Sequence, residues 1–179
     1  MSAGSLDDSL TLDGLGMLSI GNKAVYPGQG PCRIGNIVKR VVGARETMFY
    51  HLTVLDGNRG DLFVPVEKAQ AIGVRLLMKK CEVPGLIAYL KKSSKLADTW
   101  KQRATDNHRL FSSGSPYDLA DVVSSMTELQ TTKSLTLGEA ETLERARRLL
   151  ICEISEATGE TRAEVEGLVD YALRAPKEE

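Results

Sequence analysis

The single tryptophan of this chain, Trp100, lies among cations near the start of a predicted helix. Lys101, Arg103 and Arg109 follow it within the same segment. A flat ring at the surface can unstack a base step while neighbouring cations hold the phosphates. These residues are therefore candidates for contact with DNA.

The helical spacing around Trp100 also fits a second interpretation. Leu96, Trp100, Ala104 and Phe111 fall on or near one helical face, which is typical of a ring packed in a core. The position of Trp100 favours exposure instead. It would stand in the first turn, after Asp98 or Thr99, where a side chain projects past the helix end. The residues alone leave the buried and the exposed ring as alternatives.

Other reactive side chains do not assemble into a catalytic pattern. His51 and His108 lie in different predicted domains, and neither has a neighbouring nucleophile motif. Gly28 and Gly30 begin a dinucleotide-like motif, but Arg33 replaces its third glycine. The last two helices carry acids that alternate with arginines, which is typical of a solvated helix surface; these acids are Glu139, Glu141, Glu144, Glu153 and Glu156. We therefore predict no enzyme, no catalytic residue, no metal site and no cofactor.

The formal net charge of −1 conceals an uneven distribution along the chain. Residues 20–110 carry 16 Lys and Arg against 7 Asp and Glu, whereas residues 111–179 carry 7 against 14. A basic middle predicts a polyanion or an acidic partner there. A basic covering of an ordinary soluble surface is the alternative.

The order of elements predicts an α+β protein. Residues 1–19 are acidic and without a clean period, so they are predicted to be a disordered leader. Residues 20–72 hold short runs of β-formers separated by turn residues, which predicts a small SH3-like or Tudor-like barrel of four or five strands. Residues 73–175 follow a helical period, which predicts an all-α domain of about five helices.

The individual elements have recognisable starts. The predicted strands are Lys23–Pro27, Cys32–Val42, Thr47–Leu55 and Asp61–Val66, with a turn over Asp56–Gly60. In the third strand, Met48, Tyr50, Leu52 and Val54 share one face, and Phe49, His51 and Thr53 share the other. Helices are predicted to start at Val83–Pro84, near Leu96, at Ser115–Pro116, and at two capping boxes, Thr136–Glu139 and Thr161–Glu164.

Composition also bears on the compartment. The three cysteines, Cys32, Cys81 and Cys152, form no C-x-x-C pair, which favours a reducing cytosol. No run of about 18 apolar residues is present for a membrane span. A cytoplasmic, nucleoid-associated protein is the prediction, with no membrane partner.

Several short motifs, taken in order, resemble the CarD/CdnL family of bacterial transcription regulators. They are Gly21–Gly30, Leu62–Glu67, Gly73–Arg75, Thr99–Trp100, and Leu135–Glu139 running into Leu143, Ala146, Arg147, Leu149 and Leu150. The resemblance spans residues from about 20 to 173. It implies a Tudor-like domain that binds the β subunit of RNA polymerase, and a helical domain that contacts promoter DNA at the upstream edge of the transcription bubble.

The resemblance assigns roles to particular residues. Arg40 matches a basic residue that contacts the polymerase, and Pro65 matches the proline of the fourth-strand contact. Phe63, two residues before it, stands where relatives carry a basic or an apolar residue. Trp100 matches a tryptophan wedge that sits in the minor groove and hinders bubble collapse.

The chain departs from the family pattern after the tryptophan. Relatives commonly continue with a small polar residue, two arginines and an aromatic, whereas this chain has Lys101, Gln102, Arg103 and Ala104. This predicts weaker phosphate anchoring, or anchoring that relies on Lys101.

The prediction is a monomeric factor that stabilises the open promoter complex without base-specific readout. The alternative is an adaptor that binds polymerase and whose helical domain contacts another protein.

Overall fold

A computed structural model describes residues 18–57, 60–92 and 99–176. Most of the predicted leader, residues 1–17, lies outside the described residues, as do Leu96 and positions 58 and 59 of the predicted turn.

The first domain is built on a five-stranded antiparallel sheet with the order β4-β3-β2-β1-β5. Four strands confirm the predicted ones, with small shifts at their ends, and the fifth is new. Their bounds are β1 Lys23–Tyr26, β2 Gly30–Val42, β3 Arg45–Val54, β4 Asp61–Pro65 and β5 Arg75–Leu76. Because β5 pairs with β1, the sheet extends past the boundary expected at residue 72.

The alternation in β3 separates a buried face from an outer face as predicted. Tyr50, Leu52 and Val54 are buried in the core of this domain. Met48 shares their face but is exposed, because β4 pairs with β3 only between Phe49 and Thr53. The ends of β2 and β3 beyond that point form a two-stranded ribbon.

The second domain is a helical bundle with the five predicted helices, preceded by a short helix, α1 (Ala69–Ile72). The bounds of the five are α2 Val83–Leu90, α3 Trp100–Ser113, α4 Pro116–Thr132, α5 Leu137–Thr158 and α6 Arg162–Arg174. Both predicted capping boxes are formed, at Thr136 with Glu139 and at Thr161 with Glu164. The apolar stripes of α2, α4, α5 and α6 meet in one core.

One side of α5 joins the two domains. Its Glu153 is 1% exposed at the side chain and pairs with Arg75 of β5 through both oxygens, at 2.7 and 2.9 Å. The Arg75 Nε also donates to the carbonyl of Gly114, at 2.5 Å. The prediction that Glu153 belongs to a solvated helix surface is therefore wrong, because this carboxylate is buried between the domains.

Asp56, after β3, is a second link to the helices. Its carboxylate accepts from Arg148 at 2.9 Å and from Arg162 at 2.8 Å, and only 10% of this side chain is exposed. Lys23 also pairs with Glu156, at 2.7 Å. Backbone and side chain meet closely at Gly30, where a Cβ would lie 2.8 Å from Leu149. These contacts join the sheet to α5 and, through Arg162, to the start of α6.

Candidate functional site

The first candidate site is the face of the sheet that points away from the sheet domain's core, which we call the outer sheet face. It comprises the side chains of Asn36, Val38 and Arg40 on β2, Phe49 and His51 on β3, and Asp61, Phe63 and Pro65 on β4. The strand register places them together, since His51 is opposite Phe63 and Phe49 is opposite Pro65. Arg40, Phe63 and Pro65, the residues predicted to contact polymerase, therefore share one surface.

Phe63 contacts side chains of β2 and β3, although 39% of it is exposed. The guanidinium carbon of Arg40 lies 4.0 Å from the centre of the Phe63 ring, across the width of β3. The His51 ring stacks on the same phenyl ring, with centroids 5.0 Å apart and an angle of 14° between planes. A cation over a ring contributes about 0.5–1 kcal/mol at an exposed site. The surface thus presents a preorganised aromatic and cationic cluster.

His51 is the member of this cluster that was not predicted as a site residue. Its Nδ1 lies 3.0 Å from Asn36 Oδ1, and its Nε2 lies 3.1 Å from Asp61 Oδ1. Thr53 donates to the same Asp61 oxygen, at 3.2 Å. The alternation in β3 had already placed His51 on the side opposite Tyr50, so the signal was present in the sequence. The sequence does not show that the His51 ring stacks on the Phe63 ring, because the two residues lie on different strands.

The second candidate site surrounds Trp100, the first residue of α3. Thr99 caps this helix, and its side chain accepts from the backbone N–H of Gln102, at 3.3 Å. The side chain of Trp100 is 61% exposed. Lys101 is also exposed, with its Nζ 5.8 Å from the indole centre, and Arg109 is exposed further along α3.

The helical period predicted a buried face of α3, but that face is mainly exposed to solvent. Trp100 and Ala104 are exposed and Phe111 is only partly buried, whereas Arg103 and Asn107 are the buried residues of the helix. The alternative of a core tryptophan is therefore wrong. The helical period identifies which residues share a face, but it does not identify which face is covered.

Arg103 does not lie where a phosphate ligand is expected. Only 4% of it is exposed, and both its Nε and Nη2 donate to Glu139 Oε1, at 2.9 and 2.7 Å. A guanidinium held in this way cannot reach the DNA backbone. We therefore correct its predicted DNA contact to a structural role, in which it anchors the first turn of α3 to α5.

Glu139 serves two helices at once. Its Oε2 accepts from the backbone N–H of Thr136, at 3.0 Å, which completes the capping box of α5, while Oε1 accepts from Arg103. The backbone hydrogen bond from Thr136 lowers the pKa of this carboxyl, and Arg103 lowers it further against the opposing effect of burial. The charged form is therefore favoured, and it ties the start of α5 to the helix that carries Trp100.

Three further features of the described residues bear on function: possible metal ligands, buried thiols and the apolar character of the helices. These residues contain no cluster of three His, Cys, Asp or Glu side chains that could hold a metal ion. Burial raises the pKa of Cys32 and of Cys152 to about 11, so neither thiol is ionised at neutral pH. Over the same residues, no helix combines the length and apolar character that crossing a bilayer requires.

A small antiparallel sheet with an aromatic and cationic face, fixed to a helical bundle that exposes one tryptophan, defines a two-domain binding protein. Residues 18–77 match the CarD-like/TRCF RID domain, and residues 86–170 match the CarD C-terminal domain. The chain therefore belongs to the CarD/CdnL family and is an RNA polymerase-interacting transcription regulator. Proteins of this family are regulators and not typical enzymes.

Proposed function

We propose that this chain binds the β subunit of RNA polymerase through the outer sheet face and stabilises the open promoter complex with Trp100. In this proposal one copy of the chain places the indole at the upstream edge of the bubble. The contact needs no base-specific readout. The observation that carries the proposal is the exposure of Trp100 at the first position of an anchored helix.

The outer sheet face supports polymerase as the docking partner. Aromatic and arginine side chains are enriched at protein interfaces, and Phe63 with Arg40 supplies both in contact. Strand β4 also ends the sheet, with no strand beyond it among the described residues. An extended segment of the partner could pair with this edge while its side chains meet Phe63 and Pro65.

The anchoring of α3 supports the wedge. A ring that inserts beside a melted junction must resist displacement, and side chains on rigid elements are held more exactly than those on loops. Arg103 fixes the first turn of α3 through Glu139, and Thr99 caps it. A wedge that contacts the open state better than the closed duplex shifts the equilibrium by its differential affinity.

The function is tested by the lifetime of the polymerase–promoter open complex after addition of a competitor, with and without this chain. We expect a longer lifetime with the chain. An unchanged lifetime on several promoters, in the presence of demonstrated polymerase binding, would overturn the proposal.

Arg40→Glu tests the docking surface. The change places a carboxylate against the face of Phe63 and removes the cation, so polymerase binding should fall by at least tenfold, about 1.4 kcal/mol. Lys133→Glu is the control, because Lys133 is an exposed cation after α4 and away from the sheet. Binding is measured with purified polymerase, and retained binding of Arg40→Glu would move the interface elsewhere.

One observation favours a second candidate function. The burial of Arg103, together with Gln102 and Ala104, leaves Lys101 and Arg109 as the exposed cations of α3. A surface with this modest charge also suits an adaptor whose helical domain contacts a protein. That function predicts a polymerase complex with negligible affinity for fork DNA even at low salt, where phosphate contacts are strongest.

A further inference from the structure

A groove of about 1060 Å³ opens beside Trp100. It lies between the β1–β2 turn, α3 and the first turns of α5. Small-molecule sites commonly have volumes of about 300–1,000 Å³, so this groove has room for a planar ligand. Trp100, Ala104, His108 and Phe111 form its α3 wall.

Ala104 keeps this groove open. It lies one helical turn after Trp100, is exposed, and contributes only a methyl group to the wall. A ring at this position would project beside the indole and occupy the space.

The walls combine flat apolar surfaces with polar groups. Tyr26, Pro27 and Phe111 are partly buried, and they provide apolar contact. Thr142 and Glu141 of α5 provide a hydroxyl and a carboxylate. A nucleobase has the matching form, since its faces stack on rings and its edges hydrogen-bond.

The groove wall carries both signs of charge, and its free carboxylate fits the edge of a base. Arg145 lines the groove as well, where its Nη2 donates to the carbonyl of Gly28, at 2.6 Å, and its guanidinium carbon lies 5.5 Å from the centre of the Phe111 ring. Glu139 is engaged by Arg103, but Glu141 is an exposed carboxylate on the wall. A carboxylate repels a phosphate, yet it accepts a hydrogen bond from an exocyclic amino group such as that of cytosine. Lys101 and Arg109 are exposed on α3 outside the groove, where a phosphate backbone would be attracted.

We propose that the groove receives one unpaired base from the strand melted next to Trp100. This inference rests on the proposed function, which brings the melted junction to the indole. The ring of Trp100 separates the junction, and the groove then holds the released base. Stabilisation of the open state therefore has two parts, the wedge and the captured base.

The test uses the full chain, polymerase and a promoter in which one unpaired position next to the upstream junction is made abasic. Each position near the junction is replaced in turn. With the native chain, the abasic site that removes the captured base should shorten the open-complex lifetime about tenfold, the scale of one base–aromatic stacking contact. The same site should change little when the chain is omitted.

Ala104→Tyr supplies the matching protein variant. It fills the groove at an exposed position, so the fold should be retained, which thermal unfolding checks. Its open complex should be shorter-lived than that of the native chain and insensitive to the abasic site. Ala140→Tyr is the control, because Ala140 is exposed near the start of α5 and does not line the groove.

The failure of the groove proposal can be distinguished from the failure of the proposed function. If no abasic position changes the lifetime while Trp100→Ala still shortens it, the groove holds no base and the wedge stands. If the native chain does not lengthen the lifetime at all, the proposed function itself fails.

Discussion

Replacing Trp100 with alanine should shorten the open-complex lifetime about 30-fold. A tryptophan buries roughly 150–250 Å² when fully covered. With 61% of the residue exposed, roughly 90–150 Å² remains for DNA to cover, worth about 2–4 kcal/mol at 25 cal/mol per Å². Area converts incompletely in association, and base–aromatic stacking gives about 1–3 kcal/mol on alanine substitution. A loss of about 2 kcal/mol corresponds to the 30-fold change.

The assay follows the decay of the open complex after a competitor is added. It is carried out at several promoters, with polymerase saturated by each variant. Polymerase affinity should stay constant, because Trp100 lies on α3 and not on the outer sheet face. Tyr171→Ala is a matched control: Tyr171 is an aromatic on α6 that is 70% exposed, with Lys91 5.9 Å from its ring. Equal lifetimes for native chain and Trp100→Ala would refute the reasoning from exposure.

Two further substitutions test the contacts that hold the Trp100 helix and the domains. Glu139→Gln should reduce stability near neutral pH, as measured by chemical denaturation, because it removes the charge that Arg103 and Thr136 stabilise. The lowered pKa of Glu139 means that its contribution is present above its ordinary value of 4.5 and is lost as pH falls through the lower folded value. The native chain should therefore lose more stability on acidification than the variant, and parallel pH profiles would contradict this linkage. Glu153→Ala should lower the free energy of unfolding by about 3 kcal/mol, because it leaves the Arg75 charge without its carboxylate at a largely buried site. A loss below about 0.5 kcal/mol would show that the pair does not hold the domains.

Local signals predicted most elements of the fold. Each capping box combines a threonine with a glutamate three residues later, and these short patterns located the starts of α5 and α6. Alternation in β3 assigned its two faces. Strand β5 escaped prediction because two residues are too few to show a period, and their pairing with β1 is a long-range contact.

The candidate site was less accessible to sequence reasoning. Arg103 and Glu139 are 36 positions apart, and Arg75 and Glu153 are 78 apart, so neither pair has a local signature. Both glutamates lie on a helix rich in charge, which favoured a solvated surface. Burial of a charged side chain depends on a partner from another element, and that partner became visible only in the folded chain.

The contacts of α5 with the sheet have a consequence for where the protein acts. Arg75–Glu153, the two arginines on Asp56 and the close approach of Gly30 to Leu149 join the sheet to the bundle, so these contacts oppose a change in the separation between the outer sheet face and Trp100. Under the proposed function, the chain places Trp100 at a set distance from the polymerase. The base pair it meets is then chosen by distance from the enzyme, so the same register should be contacted at promoters of unrelated sequence.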